Sequence, residues 1–180
     1  MRNGLMMLGV ALLAVPAGAP ALAEVEAVSE VGFSVVHVVT VPATPEAVYA
    51  ALKMPAKWWG GAHSWSGDAA NLWMDAQAGG CFCETLPGAA RGSVEHGRII
   101  HAAPGRLLRL TGALGPLQGE AVTGTLSWEL SAVDGGTRIS QSYVVGGHAR
   151  MGMAAIAPAV DGVLGEQLDR LKAFIETPGG

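Results

Sequence analysis

The feature that most constrains this chain is the stretch 154–176, AAIAPAVDGVLGEQLDRLKAFIE. Its residues Ile156, Val160, Val163, Leu164, Leu168, Leu171, Phe174 and Ile175 recur every three or four positions, one stripe of a 3.6-residue helix. No other segment can form so long a helix, because most of the remainder alternates with period two and is broken by glycine. A lone helix must bury its stripe, and short strands must bury one face. A curved sheet gripping the helix satisfies both needs. Pro158 cannot sit quietly inside a helix, so the helix is expected to start at Ala157 or to kink there.

Upstream, residues 33–41 (FSVVHVVTV) are β-branched and read as a strand. His37, in its middle, reads as a solvent-face or satisfied core residue rather than a ligand. Residues 42–46 end that strand and start a helix. Thr44 suits the N-cap, Pro45 the first helical position, and Glu46 the first turn, where negative charge is favoured. The helix covers 45–52, and a short turn, 55–59, follows. Six more strands come at regular spacing: 71–75, 80–86, 92–102, 107–111, 124–133 and 137–145. Residues 112–122 show no period and read as a loop at the rim of the domain. The strand connections are mostly short, so the sheet is antiparallel. The expected fold class is α+β: seven antiparallel strands, two short helices after the first, and the long C-terminal helix.

Charged residues make up only 14% of the sequence, against 26 glycines and 10 prolines, which suits a turn-rich domain. The formal charge is −4, and no two Lys or Arg are adjacent. That argues against a nucleic-acid partner and against a polybasic membrane patch. Residues 1–23 read as a cleaved signal peptide: Arg2 at the start, an apolar core 5–15, and Ala21-Leu22-Ala23 as an A-x-A cleavage site. The apolar core, about eleven residues, is too short to span a membrane of roughly 30 Å, so no stable span is expected after cleavage. The expected location is periplasmic or secreted. Residues 24–32 then form a flexible lead-in, 33–176 one domain, and 177–180 a tail. Cys81 and Cys83 share one face of a strand. They read as two small strand residues. A strained, redox-labile bridge is the alternative, and C-x-C spacing without a nearby His does not suit a metal.

The strand–PATPEAVYAAL–PAKWW start, the DAQAGGCF hairpin, GRIIHAAPGRLLRL, the LSWEL…GGTRIS hairpin and the closing helix together resemble the START-like, or helix-grip, SRPBCC superfamily. Within it the chain is most similar to the bacterial proteins named after the activator of the heat-shock-protein ATPase, relatives of polyketide cyclases and dehydrases. The resemblance covers residues 33–175. It implies a cavity between sheet and helix for an apolar or amphipathic small molecule. Members bind lipids, steroids or polyketides, and some catalyse cyclisation or hydrolysis. No cofactor is implied. The GxxxxGK[ST] phosphate loop is absent, so ATP is not an expected ligand.

Such a pocket is mostly apolar, with a few polar groups that fix orientation. By alternation, Trp128, Gln141 and Tyr143 face inward. Phe82 inward takes Glu84 with it, and His96, Arg98 and Ile100 are placed inward together with Val94. An inward Glu84 must be paired or protonated, with Arg98 or His96 as partner. Three tryptophans fall in the glycine-rich segment 58–68, where Trp58 and Trp59 either plug the core or wall the pocket. Met151, Met153 and Ile156 are read as adaptable cover. Ser64 and Ser66 lack a nucleophile-elbow context. The expected function is a non-catalytic carrier or sensor of an apolar small molecule. One alternative is an acid–base cyclase, lyase or hydrolase using Glu84, His96 and Tyr143. Another is a protein-interaction domain whose contact surface is the tryptophan loop. The sequence leaves a homodimer open.

Overall fold

The structure, a computed structural model, describes residues 24–177. The signal-peptide reading of residues 1–23 lies outside the described residues, as does the end of the tail, 178–180. Eight strands form a single antiparallel sheet: β1 (Glu24–Ser29), β2 (Gly32–Val41), β3 (Leu72–Met74), β4 (Cys81–Thr85), β5 (Ser93–Ala103), β6 (Leu107–Thr111), β7 (Ala121–Val133) and β8 (Gly136–His148). Their spatial order is β1-β2-β8-β7-β6-β5-β4-β3. Among the described residues three α-helices complete the fold: α1 (Pro45–Leu52), α2 (Pro55–Trp58) and α3 (Met153–Glu176).

Six of the seven strand pairings join neighbours in sequence; β2 against β8 is the exception. That pairing leaves β2 and β3 far apart in the sheet, and α1 and α2 carry the chain between them. Thr44 caps α1 by accepting from the Ala47 N–H, with Pro45 at the first position. On the inner faces of β7 and β8 lie Leu126, Trp128, Leu130, Ile139, Tyr143 and Val145, all buried. Against them α3 lays Leu164, Leu168 and Leu171, as its stripe requires.

Several expectations need correction. The sheet has eight strands rather than seven, because the expected lead-in is β1, which pairs with β2 through Glu24↔Val36 and Val28↔Phe33. The turn between them is closed by Ser29, whose Oγ donates to the Gly32 carbonyl at 3.1 Å. The helix α3 begins at Met153, not Ala157. Pro158 lies in its second turn, where it removes one backbone bond without stopping the helix. Cys81 and Cys83, read as unbonded strand residues, form a disulfide.

Arg98 and Ile100 are not on the inner face. Opposite Phe82 and Cys83 the register moves from Gly97 to Glu95, so His96 and Gly97 form a bulge; a second shift lies between Ile99 and His101. One extra residue inverts the alternation beyond it. His96 therefore faces inward, but Ile99 takes the next inner position, while Arg98 and Ile100 are exposed. Gly97 is required at the bulge, since a Cβ there would lie 2.6 Å from Leu110 Cδ1 and 2.9 Å from the Thr111 carbonyl oxygen.

His37 is buried rather than on a solvent face, and its Nε2 lies 3.0 Å from Asp161 Oδ1 of α3. Gly165 makes room for the ring: a Cβ there would sit 3.0 Å from His37 Cε1. The two atoms are close but not aligned for a hydrogen bond, and among the described residues neither has another partner.

Candidate functional site: a cavity between α3 and the tryptophan loop

The first half of α3 does not rest wholly on the sheet. Its residues Ile156, Ala159, Val160 and Val163 look across a cavity of about 520 Å³ towards Trp59 and Trp65 of the glycine-rich loop and towards Leu114 and Leu117 of a 3-10 turn. The lining is mostly apolar, and its size suits a drug-sized molecule. Trp65 and Met151 line it while remaining 53% and 72% exposed, so they stand where the cavity meets solvent.

Two buried polar clamps shape the walls. In the first, Gly60 of the tryptophan loop donates its N–H to Gln167 Oε1 at 2.6 Å, and Gln167 is itself fully buried on α3. Trp59 then meets Phe82 edge-on with ring centroids 5.3 Å apart and donates its Nε1–H to the His63 carbonyl at 3.0 Å. In the second, Tyr143 holds the 112–114 backbone. Its hydroxyl donates to the Gly112 carbonyl at 2.8 Å and accepts from the Leu114 N–H at 3.1 Å. Burial pushes the Tyr143 phenol up to about 12, so it stays protonated and keeps donating.

The charged centre of the site is Glu84, which has no exposed surface. Its carboxylate accepts the backbone N–H of Trp65 at 3.0 Å, the backbone N–H of Ser66, and His96 Nε2 at 2.9 Å. Burial alone would raise its pKa, but the hydrogen bonds from Ser66, Trp65 and His96 outweigh that and hold it below the usual carboxylate range. Glu84 is thus ionised and fixed. Its partner His96 is shifted down, because burial penalises the imidazolium more than the neighbouring carboxylate favours it. The bond from Nε2–H to Glu84 leaves Nδ1 as the lone-pair nitrogen of the neutral ring. Phe82 stacks against that ring at 4.9 Å between centroids.

Of the residues selected from the sequence, Trp59, His96, Met151 and Ile156 line the cavity. Glu84 acts on it through His96. Trp58 plugs the core instead: it is buried, donates to the Ala51 carbonyl at 3.1 Å and meets Trp128 edge-on at 6.4 Å. Phe82, Trp128, Gln141, Tyr143 and Met153 are buried behind the walls. Gln141 bridges Trp128 Nε1 (2.8 Å) to the Leu164 carbonyl (2.9 Å), a cross-link between sheet and helix. Arg98 lies outside, bonded to Glu95 and to the Gly79 carbonyl.

Sequence reasoning missed Gln167, the rim residues Leu114 and Leu117, and the lining alanines 155 and 159. The available signal was the width of the α3 stripe, which exceeds what a sheet alone can cover. Among the described residues, the cluster of ligand-type side chains around Cys81, Cys83 and Glu95 has its two sulfurs bonded to each other. No described helix is long and apolar enough to cross a membrane.

A family model described as polyketide cyclase / dehydrase and lipid transport matches residues 32–176. No curated protein matches the sequence at a significant level. Among solved structures, an uncharacterised protein from Rhizobium leguminosarum superposes with a TM-score of 0.61 at 18% identity, covering 79% of this chain and 93% of its own. The Mll3558 protein from Rhizobium loti gives 0.59 at 18% identity, covering 80% and 97%. A protein from Chromobacterium violaceum gives 0.54 at 21% identity, covering 81% and 99%. At these identities the likeness establishes the fold, a START-like helix grip.

Proposed function

We propose that this chain, which belongs to the polyketide cyclase / dehydrase and lipid transport family, carries an apolar or amphipathic small molecule in the cavity between α3 and the tryptophan loop. The observation that carries the reading is the cavity itself. About 520 Å³ of mostly apolar space is kept open by the Gln167–Gly60 and Tyr143–Leu114 clamps, where close packing would otherwise fill it. A domain that served only to present a surface to a partner protein would have no need of such a space. The exposed Trp65 and Met151 give an apolar ligand a graded path between water and the interior.

The proposal includes a periplasmic or extracellular setting. It is supported by the leader pattern of residues 1–23 and by the Cys81–Cys83 disulfide, a bond at home in oxidising compartments. The alternative of acid–base catalysis is supported by the Glu84–His96 pair, in which the ionised carboxylate fixes an imidazole on the cavity wall. Tyr143 is not available to that chemistry, being held by Gly112 and Leu114 behind the wall.

The test is native mass spectrometry of the protein purified from its own host, before and after organic extraction. A discrete extra mass lost on extraction, together with a bare-chain mass beginning at Glu24, is the expected result. A chain that never carries extra mass, and takes up no apolar probe when offered one, overturns the binding reading.

A further inference from the structure

We propose that Glu84 and His96 form a polar anchor in the cavity wall which selects ligands bearing a hydroxyl donor, such as a phenol, enol or alcohol, on an apolar body. This rests on the reading of the cavity as a binding site. His96 is 4% exposed and lies on the cavity lining, so the surface it retains is presented there. Among the described residues its ring makes one hydrogen bond, from Nε2 to Glu84. Its other nitrogen, Nδ1, accepts no hydrogen bond among the described residues and belongs to a ring that lines the cavity.

The chemistry of that nitrogen follows from its neighbour. Glu84 accepts two backbone N–H bonds besides the imidazole, and a carboxylate so held remains ionised and takes the Nε2 proton as a hydrogen-bond donor. Nδ1 is then an acceptor, and what pairs with an acceptor in an apolar cavity is a donor on the ligand. Phe82 against one face of the ring and the bulge at His96–Gly97 fix the direction of the lone pair. The acceptor is therefore in place before the ligand arrives.

The other polar groups on the lining are differently committed. Ser64 Oγ donates to the Gly61 carbonyl at 2.9 Å, His63 pairs with Glu166 at 3.1 Å, and Glu120 pairs with the exposed Arg150 at 2.8 Å. A bound molecule that placed an ether or a bare ring edge against His96 would leave a buried acceptor without a partner, which is costly. Discrimination between a hydroxylated ligand and its methyl ether is thus assigned to His96, the lining acceptor that makes no hydrogen bond to another of the described residues through Nδ1.

The experiment uses two fluorescent probes that differ by one O-methyl group, 1-hydroxypyrene and 1-methoxypyrene, titrated against the full chain and against His96→Phe. The expected result is that the wild type binds 1-hydroxypyrene about tenfold more tightly than its methyl ether, the value of one buried hydrogen bond. In His96→Phe the preference falls to about twofold or less, because the hydroxyl loses its acceptor and the ether no longer orphans one. If neither probe binds the wild type, the cavity reading fails and the anchor with it. If both bind the wild type equally, the anchor fails and the cavity reading stands. If the preference survives in His96→Phe, the donor is read elsewhere and the assignment is overturned. Should His96→Phe not fold, the imidazole ¹⁵N spectrum of the wild type decides. Its Nδ1 resonance moves with 1-hydroxypyrene and not with 1-methoxypyrene if the anchor exists; equal responses to both refute it.

Discussion

Replacing Glu84 with Gln tests the polar centre of the site most directly. The side chain keeps its shape but loses its charge and exchanges one acceptor oxygen for an NH₂ group. In the native site one carboxylate oxygen accepts from Ser66 N–H, and the other accepts from both Trp65 N–H and His96 Nε2. Whichever way the new amide is turned, its NH₂ faces at least one buried N–H. One donor is then orphaned, at about 1–3 kcal/mol, and the remaining bonds lose their charge assistance, so Glu84→Gln is expected to cost about 2–4 kcal/mol at pH 7.

The pH dependence gives a second, independent reading. Both groups have native pKa values below their ordinary ones of 4.5 for Glu84 and 6.5 for His96. A group shifted down contributes stability that is complete above its ordinary value and is lost as pH falls through the native one. In Glu84→Gln the imidazolium has no carboxylate beside it, so His96 shifts further down. The gap between wild type and variant should hold steady just below pH 6.5, where both native imidazoles are neutral, and widen as pH falls through the native His96 value of the wild type. Below about 4.5 the wild type begins to lose the Glu84 contribution and the gap should narrow. Urea unfolding followed by tryptophan fluorescence at fixed pH values measures both effects. A cost under about 0.5 kcal/mol at pH 7, or a gap that narrows as pH falls below 6.5 and before Glu84 begins to protonate, would refute the assignment of Glu84 as an ionised, three-donor acceptor.

Three further outcomes follow from the packing. Gln141→Leu orphans the Trp128 N–H and should cost about 1–3 kcal/mol in urea unfolding, with most of the loss absent in a Trp128→Phe background; an unchanged cost there would show that the bridge is not the cause. Gly124→Ala puts a Cβ onto the Tyr143 ring and should destabilise by about 2–3 kcal/mol, recovered in part by adding Tyr143→Leu, and thermal melts of the two variants check the sign. The double change Cys81→Ser with Cys83→Ser opens a very short loop, so chain entropy accounts for only about 1.5 kcal/mol. A loss above about 4 kcal/mol in the same assay would point to packing instead.

The hairpin of β7 and β8 was readable because its alternation is unbroken: Trp128, Gln141 and Tyr143 all lie inward as their spacing requires. The neighbouring strand β5 was not. The bulges at His96–Gly97 and at Ile100 are set by where β4 and β6 pair with it, and a period-two reading carries Arg98 and Ile100 to the wrong face. Glu84 could be placed inward through Phe82, and His96 was one of two partners named. The backbone donors of Trp65 and Ser66 could not be found, because N–H groups carry no sequence signature. The strand β1 was missed for a different reason. Its alternation is short and polar, and only the open edge of β2 makes a strand of it.

What the sequence by itself determined is the grip: a long apolar stripe on one helix, a series of alternating strands and the turns that join them, all local periodicities that burial must satisfy. What the tertiary structure decided is the cavity. Whether Ile156, Val160 and Val163 press on the sheet or face empty space depends on where the tryptophan loop and the 114–117 turn come to rest. Those positions are set by Gln167 against Gly60, Tyr143 against Leu114 and Glu84 against Trp65, contacts between residues 19 to 107 positions apart. Hydrogen bonds over such separations exist only once the sheet has closed on the helix, and no periodicity in the chain records them.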